Sequence, residues 1–133
     1  MAERQLNERR FAIESVVDVV RARRSGLGIA LEMGFPQVEA NKVAVVISEL
    51  GRNIKLYADE GFIIVTAYND RIKIVVEDHG PGIPDVERLL LGSYTTSQGM
   101  GLGVPGAKRL MDEFDIQSIV GRGTKITAVK RLC

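Results

Sequence analysis

The apolar residues in the middle of this chain change their spacing abruptly, and this change limits the possible fold more than any other feature. Between positions 43 and 57 they recur at three- and four-residue steps, as one face of an α-helix requires. Further along they alternate, with Ile72, Ile74 and Val76 on one face of a strand. The sequence therefore predicts a long helix followed closely by β-strands.

Turn and capping residues divide the rest of the chain. A capping signal at Ser15 and Asp18 predicts the start of a helix that Gly34 would end. In chain order we predict a strand at 9–14, helices at 16–33 and 36–58, hairpin strands at 62–68 and 71–78, a helical turn near 85–91, a helix at 104–114, and strands at 115–120 and 124–131. This order predicts one domain over residues 1–133. We expect an α/β two-layer sandwich whose mixed, mostly antiparallel sheet is covered by helices on one face.

Composition excludes several classes of partner. The 133 residues are 45% hydrophobic and 26% charged, with a net charge of +1, so we expect no nucleic acid or anionic membrane as partner. The longest strictly apolar run, Val43 to Ile47, is too short to span a membrane. The first ten residues contain no apolar signal region, and Cys133 has no second cysteine with which to form an internal disulfide. We therefore expect a cytoplasmic protein.

Glu49 and Asn53 form the first candidate site. They are one turn apart on the predicted helix 36–58, on nearly the same face, beside its apolar stripe. A carboxylate there can accept a proton from an attacking hydroxyl, and the amide oxygen can ligate Mg²⁺. The alternative is an ordinary surface pair. Gly51 between them indicates close approach of a backbone or ligand, or simply helix–sheet packing.

The second candidate site directly follows the strand at 71–78. Asp78 could accept a hydrogen bond from an exocyclic amine, which would select adenine over guanine. Gly80 and Gly82 would let the backbone approach a flat base. The alternative is a simple Gly-Pro turn.

The third candidate site is a glycine-rich loop that leads into the helix at 104–114. Glycines that open a helix present free N–H groups and the positive end of the helix dipole to an anion, which suits phosphates. The alternative is a flexible loop. The pattern is neither a dinucleotide fingerprint nor a Walker A loop. The residues concerned are Gly99, Gly101 and Gly103, with possible hydroxyl donors at Thr95, Thr96 and Ser97.

Four stretches together resemble one superfamily over nearly the whole chain. They are ISELGRNIKLYA, VEDHGPGIPD, TTSQGMGLGVPGAKRLMDEF and VGRGTKI. The chain resembles the GHKL ATPases and kinases, named for gyrase, Hsp90, histidine kinases and MutL. Within them it looks most like the RsbT-type switch-protein serine/threonine kinases of the bacterial stressosome. The resemblance implies a Bergerat-type ATP fold.

The resemblance also implies a role for each motif. Glu49 matches the catalytic base, Asn53 the magnesium ligand and Asp78 the adenine-reading aspartate. Residues 85–98 would form a lid over ATP. The remaining cofactor-binding positions implied by the resemblance are Gly80, Gly82 and Ile83 at the base, Thr95, Thr96, Ser97, Gly99, Gly101, Leu102 and Gly103 at the phosphates, and Thr124 near the adenine.

Relatives of this type phosphorylate serine or threonine on small STAS-domain proteins and then activate a phosphatase of the PP2C type. The resemblance thus implies a Mg-ATP-dependent protein kinase. An anti-sigma factor kinase and a nucleotide-switched binding adaptor are the alternatives, and a free-standing core of a two-component sensor is a more remote one. The stretch 92–99 contains no lysine or arginine, so the group that neutralises the γ-phosphate stays open among Arg88, Lys108 and Arg109. His79, the single histidine, is given no role.

Overall fold

A computed structural model describes residues 4–58, 60–82 and 103–132. In this part of the chain, helices and strands follow one another in the order that the sequence predicts. The elements are β1 (Gln5–Ile13), α1 (Val16–Met33), α2 (Gln37–Tyr57), β2 (Gly61–Tyr68), β3 (Arg71–Asp78), α3 (Gly103–Leu110), β4 (Glu113–Ile119) and β5 (Gly123–Arg131).

The strands form one sheet in the order β1-β2-β3-β5-β4. All four pairings between these described strands are antiparallel, so the mixed sheet that we expected contains no parallel pair here. β3 and β5 occupy central positions although they are far apart in the chain. The α/β two-layer sandwich is confirmed.

One face of the sheet packs against the helices. On β3, the buried side chains of Ile72, Ile74 and Val76 alternate with half-buried ones, which is the period of a strand with one covered face. The side chains with the largest fully buried volume come from both layers: Ile13, Ile47, Leu50, Ile54, Ile63, Ile72, Ile74 and Ile126. Each such side chain contributes about 1.5–3 kcal/mol through burial, so this shared core stabilises the sandwich.

The ends of α1 follow the predicted signals. Asp18 Oδ2 accepts the backbone N–H of Ser15 at 3.1 Å, which satisfies a free donor before the first turn. Gly34 ends the helix with φ of 102°, a left-handed conformation that glycine adopts without a steric penalty. No helix in the described ranges is long and apolar enough to cross a lipid bilayer.

Gly51 of α2 lies against α1, which answers the question raised by the sequence. A Cβ at position 51 would lie 2.8 Å from Cγ1 of Val19, a buried residue of α1. A β-branched side chain in a helix has little freedom to rotate away. The glycine therefore permits close packing of two helices, rather than packing of a helix on the sheet or approach of a ligand.

Two predicted boundaries are wrong. The helix predicted at 104–114 ends at Leu110, and β4 begins at Glu113, because Phe114 and Ile116 alternate with exposed residues as a strand does. A hydrogen bond from Asp112 N–H to Val129 O at 2.9 Å joins the intervening bend to β5. The first strand begins at Gln5 rather than at position 9, since it pairs with β2 along its length.

Candidate functional site

The described parts of the three predicted motifs lie near one another at one end of the sandwich. α2 ends just before β2, and the first residue of β2, Gly61, pairs with Asp78 at the end of β3. The C-terminal half of α2 therefore lies near the sheet end that carries Asp78. Gly103, the first residue of α3, contacts Glu49 on α2. The fold thus gathers an acid, an amide, a second acid and a helix N-terminus.

Glu49 is a buried acid with both oxygens engaged. The residue is only 8% exposed. Its Oε1 accepts the backbone N–H of Gly103 at 3.0 Å, and its Oε2 accepts a hydrogen bond from the guanidinium of Arg52. An ordinary surface glutamate would have neither the burial nor the contact with another helix. The carboxylate lies where the glycine-rich segment opens α3.

Asn53 is 5% exposed and lies one turn beyond Glu49. Its side chain makes no hydrogen bond to another residue in the described ranges. Because no described residue takes up this amide, its oxygen is available to a ligand. Its oxygen is of the type that Mg²⁺ prefers.

Asp78 is held rigidly at the end of β3, where it is 4% exposed. Its Oδ1 accepts two backbone N–H groups, from Thr124 at 3.2 Å and from Gly80 at 3.0 Å. The other oxygen, Oδ2, accepts no hydrogen bond from a described residue. One oxygen therefore fixes the carboxylate, and the other can accept a hydrogen bond from a ligand.

Thr124 faces Asp78 across the β3–β5 ladder. Its hydroxyl lies 2.8 Å from that of Ser118 on β4, with which it is paired in register. The sequence analysis did not identify Ser118. The signal that could have found it is the pairing of β4 with β5, which places the two hydroxyls side by side on one face.

The turn after Asp78 is attached to the β4–β5 turn. Gly82 has φ of 80°, and a Cβ there would lie 2.5 Å from Ile119 O. Gly121 N–H donates to Pro81 O at 2.8 Å. The absence of a side chain at Gly82 is therefore required by packing between two turns. A role for Gly80 and Gly82 beside a base stays a prediction.

Two basic residues, His79 and Lys130, differ sharply in exposure. The side chain of His79 is 77% exposed. Lys130, which the sequence analysis missed, is 6% exposed, and its ammonium lies 2.9 Å from Glu39 Oε1 and 3.4 Å from Leu110 O. In the sequence, Lys130 shares a strand face with Ile126 and Ala128, and this alternation could have predicted that its side chain is buried.

Much of the predicted phosphate site lies outside the described residues. So does the predicted lid at 85–98. The phosphate-site positions concerned are Thr95, Thr96, Ser97, Gly99, Gly101 and Leu102. Ile83, predicted beside the base, and Arg88, a candidate cation, also lie outside the described residues.

Comparison with known proteins agrees with this geometry. Residues 38–132 match the family described as histidine kinase-, DNA gyrase B- and HSP90-like ATPase. The chain is 47% identical over 119 residues to serine/threonine-protein kinase RsbT of Bacillus subtilis, covering 86% of this chain and 90% of that protein. It is 31% identical over 100 residues to the anti-sigma F factor of Caldanaerobacter subterraneus, covering 69% of this chain and 70% of that protein.

The matched region contains Glu49, Asn53, Asp78, Gly103 and Thr124, the residues that the structure gathers at one end of the sandwich. The likeness to the Bacillus protein supports protein kinase activity, and the family supports the use of ATP. Sequence and fold agree over more than half of the chain. The chain therefore belongs to the histidine kinase-, DNA gyrase B- and HSP90-like ATPase family, the GHKL superfamily.

Proposed function

We propose that this chain is a Mg-ATP-dependent kinase that phosphorylates serine or threonine on a partner protein. One observation carries the proposal: the buried carboxylate of Glu49 lies at the N-terminus of α3, where it accepts the Gly103 N–H. A helix N-terminus is a favourable place for phosphate groups. A buried acid at that point is placed to act on a hydroxyl that approaches the terminal phosphate.

The nucleotide base would bind at the other acid. Asp78 Oδ2 is available to accept a hydrogen bond from the exocyclic amine of adenine, while Oδ1 is held by Thr124 and Gly80. Guanine carries a carbonyl oxygen at the corresponding position. That oxygen cannot donate a hydrogen bond, and the carboxylate would repel it. This geometry supports ATP rather than GTP as the phosphate donor.

Asn53 fits the role of magnesium ligand. Its buried amide makes no side-chain hydrogen bond to a described residue, and Mg²⁺ commonly takes one or two protein ligands with phosphates and water completing its shell. When bound, the ion would neutralise charge on the phosphates. The Asn53 oxygen would fix where that charge sits relative to Glu49, one turn away.

In the transfer step, Glu49 accepts the proton of the partner's hydroxyl group. The hydroxyl oxygen forms a bond to the terminal phosphorus as the bond from that phosphorus to the β-phosphate oxygen breaks, so ADP leaves with the electron pair. The N–H groups at the start of α3 would stabilise the phosphoryl oxygens during this exchange.

The kind of partner protein is inferred from similarity to known kinases. The resemblance to switch-protein kinases indicates STAS-domain proteins as substrates, a PP2C-type phosphatase as the protein activated afterwards, and a place in a cytoplasmic stress-response pathway. The likeness to both a serine/threonine kinase and an anti-sigma factor supports partner switching as the common theme.

The test is transfer of labelled phosphate from Mg-ATP to a STAS-domain protein. We expect acid-stable label on serine or threonine, with GTP a poor donor. Acid-labile label would indicate phosphohistidine and contradict the proposal. The anti-sigma alternative is favoured by the Caldanaerobacter relative and predicts tight co-purification of a sigma factor. A chain that binds ATP but labels no partner would instead be a nucleotide-switched adaptor.

A further inference from the structure

Arg52 is the basic side chain in the described ranges that contacts Glu49. Its guanidinium donates to Oε2, while the Gly103 N–H donates to Oε1 at 3.0 Å. Both carboxylate oxygens thus accept hydrogen bonds from groups that also suit phosphate. In this arrangement Glu49 is occupied, whereas a general base needs a free oxygen directed at the incoming hydroxyl.

The cations that the sequence proposed for the γ-phosphate, where the structure describes them, lie elsewhere. Lys108 and Arg109 are exposed in the last turn of α3. They lie five and six residues beyond Gly103, which is about 7–9 Å along the helix axis at its usual rise. Their charge is therefore at the opposite end of α3 from the Glu49 contact.

The burial of the two partners is unequal. The side chain of Arg52 is 52% exposed, whereas that of Glu49 is 8% exposed. The arginine can therefore change partner with little loss of packing, while the carboxylate stays in place. A triphosphate carries more charge than one carboxylate, and the planar guanidinium fits phosphate oxygens in a bidentate manner. The terminal phosphate should therefore compete successfully with the Glu49 carboxylate for the guanidinium of Arg52.

We propose that Arg52 exchanges partners, from Glu49 in the nucleotide-free protein to the terminal phosphate of ATP during transfer. This inference rests on the proposed kinase function and deepens it. Arg52 supplies the positive charge that the stretch 92–99 lacks. Its departure, with displacement of Gly103 N–H by phosphate, frees Glu49 to take the hydroxyl proton. That proton passes to Glu49, the oxygen–phosphorus bond forms, and ADP leaves with the electrons of the broken bond.

The test compares Arg52→Gln and Arg52→Lys with the unaltered protein. Binding of ATP and of ADP is measured by calorimetry, and kcat and KM by labelled-phosphate transfer. For Arg52→Gln we expect kcat to fall about 100-fold, the usual effect of losing one donor to the transferred group. ATP affinity should fall about 10-fold more than ADP affinity, because the γ-phosphate alone loses its charged partner. Arg52→Lys should restore part of kcat and part of the preference for ATP over ADP.

Lys42→Gln is the matched control. Lys42 also forms an ion pair with an acid three residues earlier on α2, but at the far end of the helix. Its removal should leave kcat and the ratio of ATP to ADP affinity unchanged. Thermal melting of each variant reports folding separately.

Two results would overturn the inference. One is an Arg52→Gln variant with an unchanged ratio of ATP to ADP affinity, whatever its kcat, since Arg52 would then act on Glu49 alone. The other is an unchanged kcat. If the unaltered protein bound no ATP or labelled no partner, the kinase function itself would fail instead, so the two failures are distinguishable.

Discussion

The two ends of α2 carry acid–base pairs of the same spacing in different surroundings. Near the N-terminus, Glu39 pairs with Lys42 at 3.0 Å and with Lys130 at 2.9 Å. In the C-terminal half, Glu49 pairs with Arg52 and with a backbone N–H. At the first end one acid meets two ammonium groups. At the second end the acid itself is buried.

The difference separates a pair that is satisfied within the fold from the pair to which we assign a function. Hydrogen bonds from Lys130, and then Lys42, hold the pKa of Glu39 below its ordinary value. Lys130 is buried, and its ammonium contacts both Glu39 Oε1 and Leu110 O, so this pair is satisfied by the protein alone. Glu49, by contrast, occupies donors that a phosphate can take. Identical spacing along a helix therefore does not predict a role, whereas the neighbouring element does.

Substitution of each acid by glutamine tests this comparison most strongly. Glu49→Gln removes the proton acceptor, and we expect phosphate transfer to fall by about 10²–10⁴-fold with ATP affinity changed little. Glu39→Gln should transfer phosphate at the normal rate below its melting temperature. The measurement is the initial rate of labelling with saturating ATP. Equal losses in both variants would show that the comparison is wrong.

Asp78→Asn sharpens the assignment of the base site. The amide loses the negative charge that favours the adenine amine, and its NH₂ group can face a guanine carbonyl. We expect the preference for ATP over GTP to fall by about 10–100-fold, the size of one or two lost hydrogen bonds at a binding site. Competition binding of the two nucleotides measures this. An unchanged preference for ATP over GTP would show that Asp78 does not recognise the base.

Two glycines offer a matched test of the packing between α1 and α2, which positions Glu49 and Asn53. Gly51→Ala places a Cβ against Val19, and we expect a loss of about 1–2 kcal/mol in the free energy of unfolding after the gain in helix propensity. Gly28→Ala, on α1, meets nothing within 4 Å and should stabilise the protein by up to about 1 kcal/mol. Urea unfolding measures both. Stabilisation by Gly51→Ala would contradict the described helix packing.

The smallest expected effect is on the pH dependence of stability, which tests the ion pairs of Glu39 near the N-terminus of α2. Because the folded-state pKa of Glu39 is lowered, its pairing stabilises the fold above the ordinary pKa of glutamate. That contribution is lost as the pH falls through the lowered pKa. Glu39→Gln should therefore be less stable than the unaltered protein near neutral pH, with the difference shrinking in acid. A difference that does not depend on pH would point to packing rather than charge.

Periodicity predicted most of the fold because most elements have one covered face. α2 has a clear apolar stripe, and β3 alternates along its whole length. α1 exposes Val16, Val17 and Val20, and it was predicted from its capping residues instead. The early part of β1 escaped prediction because its residues are exposed and carry no such pattern. The error after Leu110 arose where a two-residue period begins within a segment that looks helical.

The candidate site was predictable in part. The helical spacing of Glu49 and Asn53 places them on one face, and burial of both removes the reading of an ordinary surface pair. The contacts of Arg52 and Lys130 were not predictable, since long side chains choose among partners that only the folded arrangement supplies. Pairing of Ser118 with Thr124 likewise depends on the register of β4 with β5.

α3 has one exchangeable anchor and one permanent anchor. Its first residue is attached to α2 through Glu49, and the carbonyl of Leu110 at its other end through Lys130 and Glu39. A ligand that displaces the first attachment leaves the second intact. The end of α3 at Leu110 therefore stays attached to β5 and α2 whether or not a ligand occupies the site.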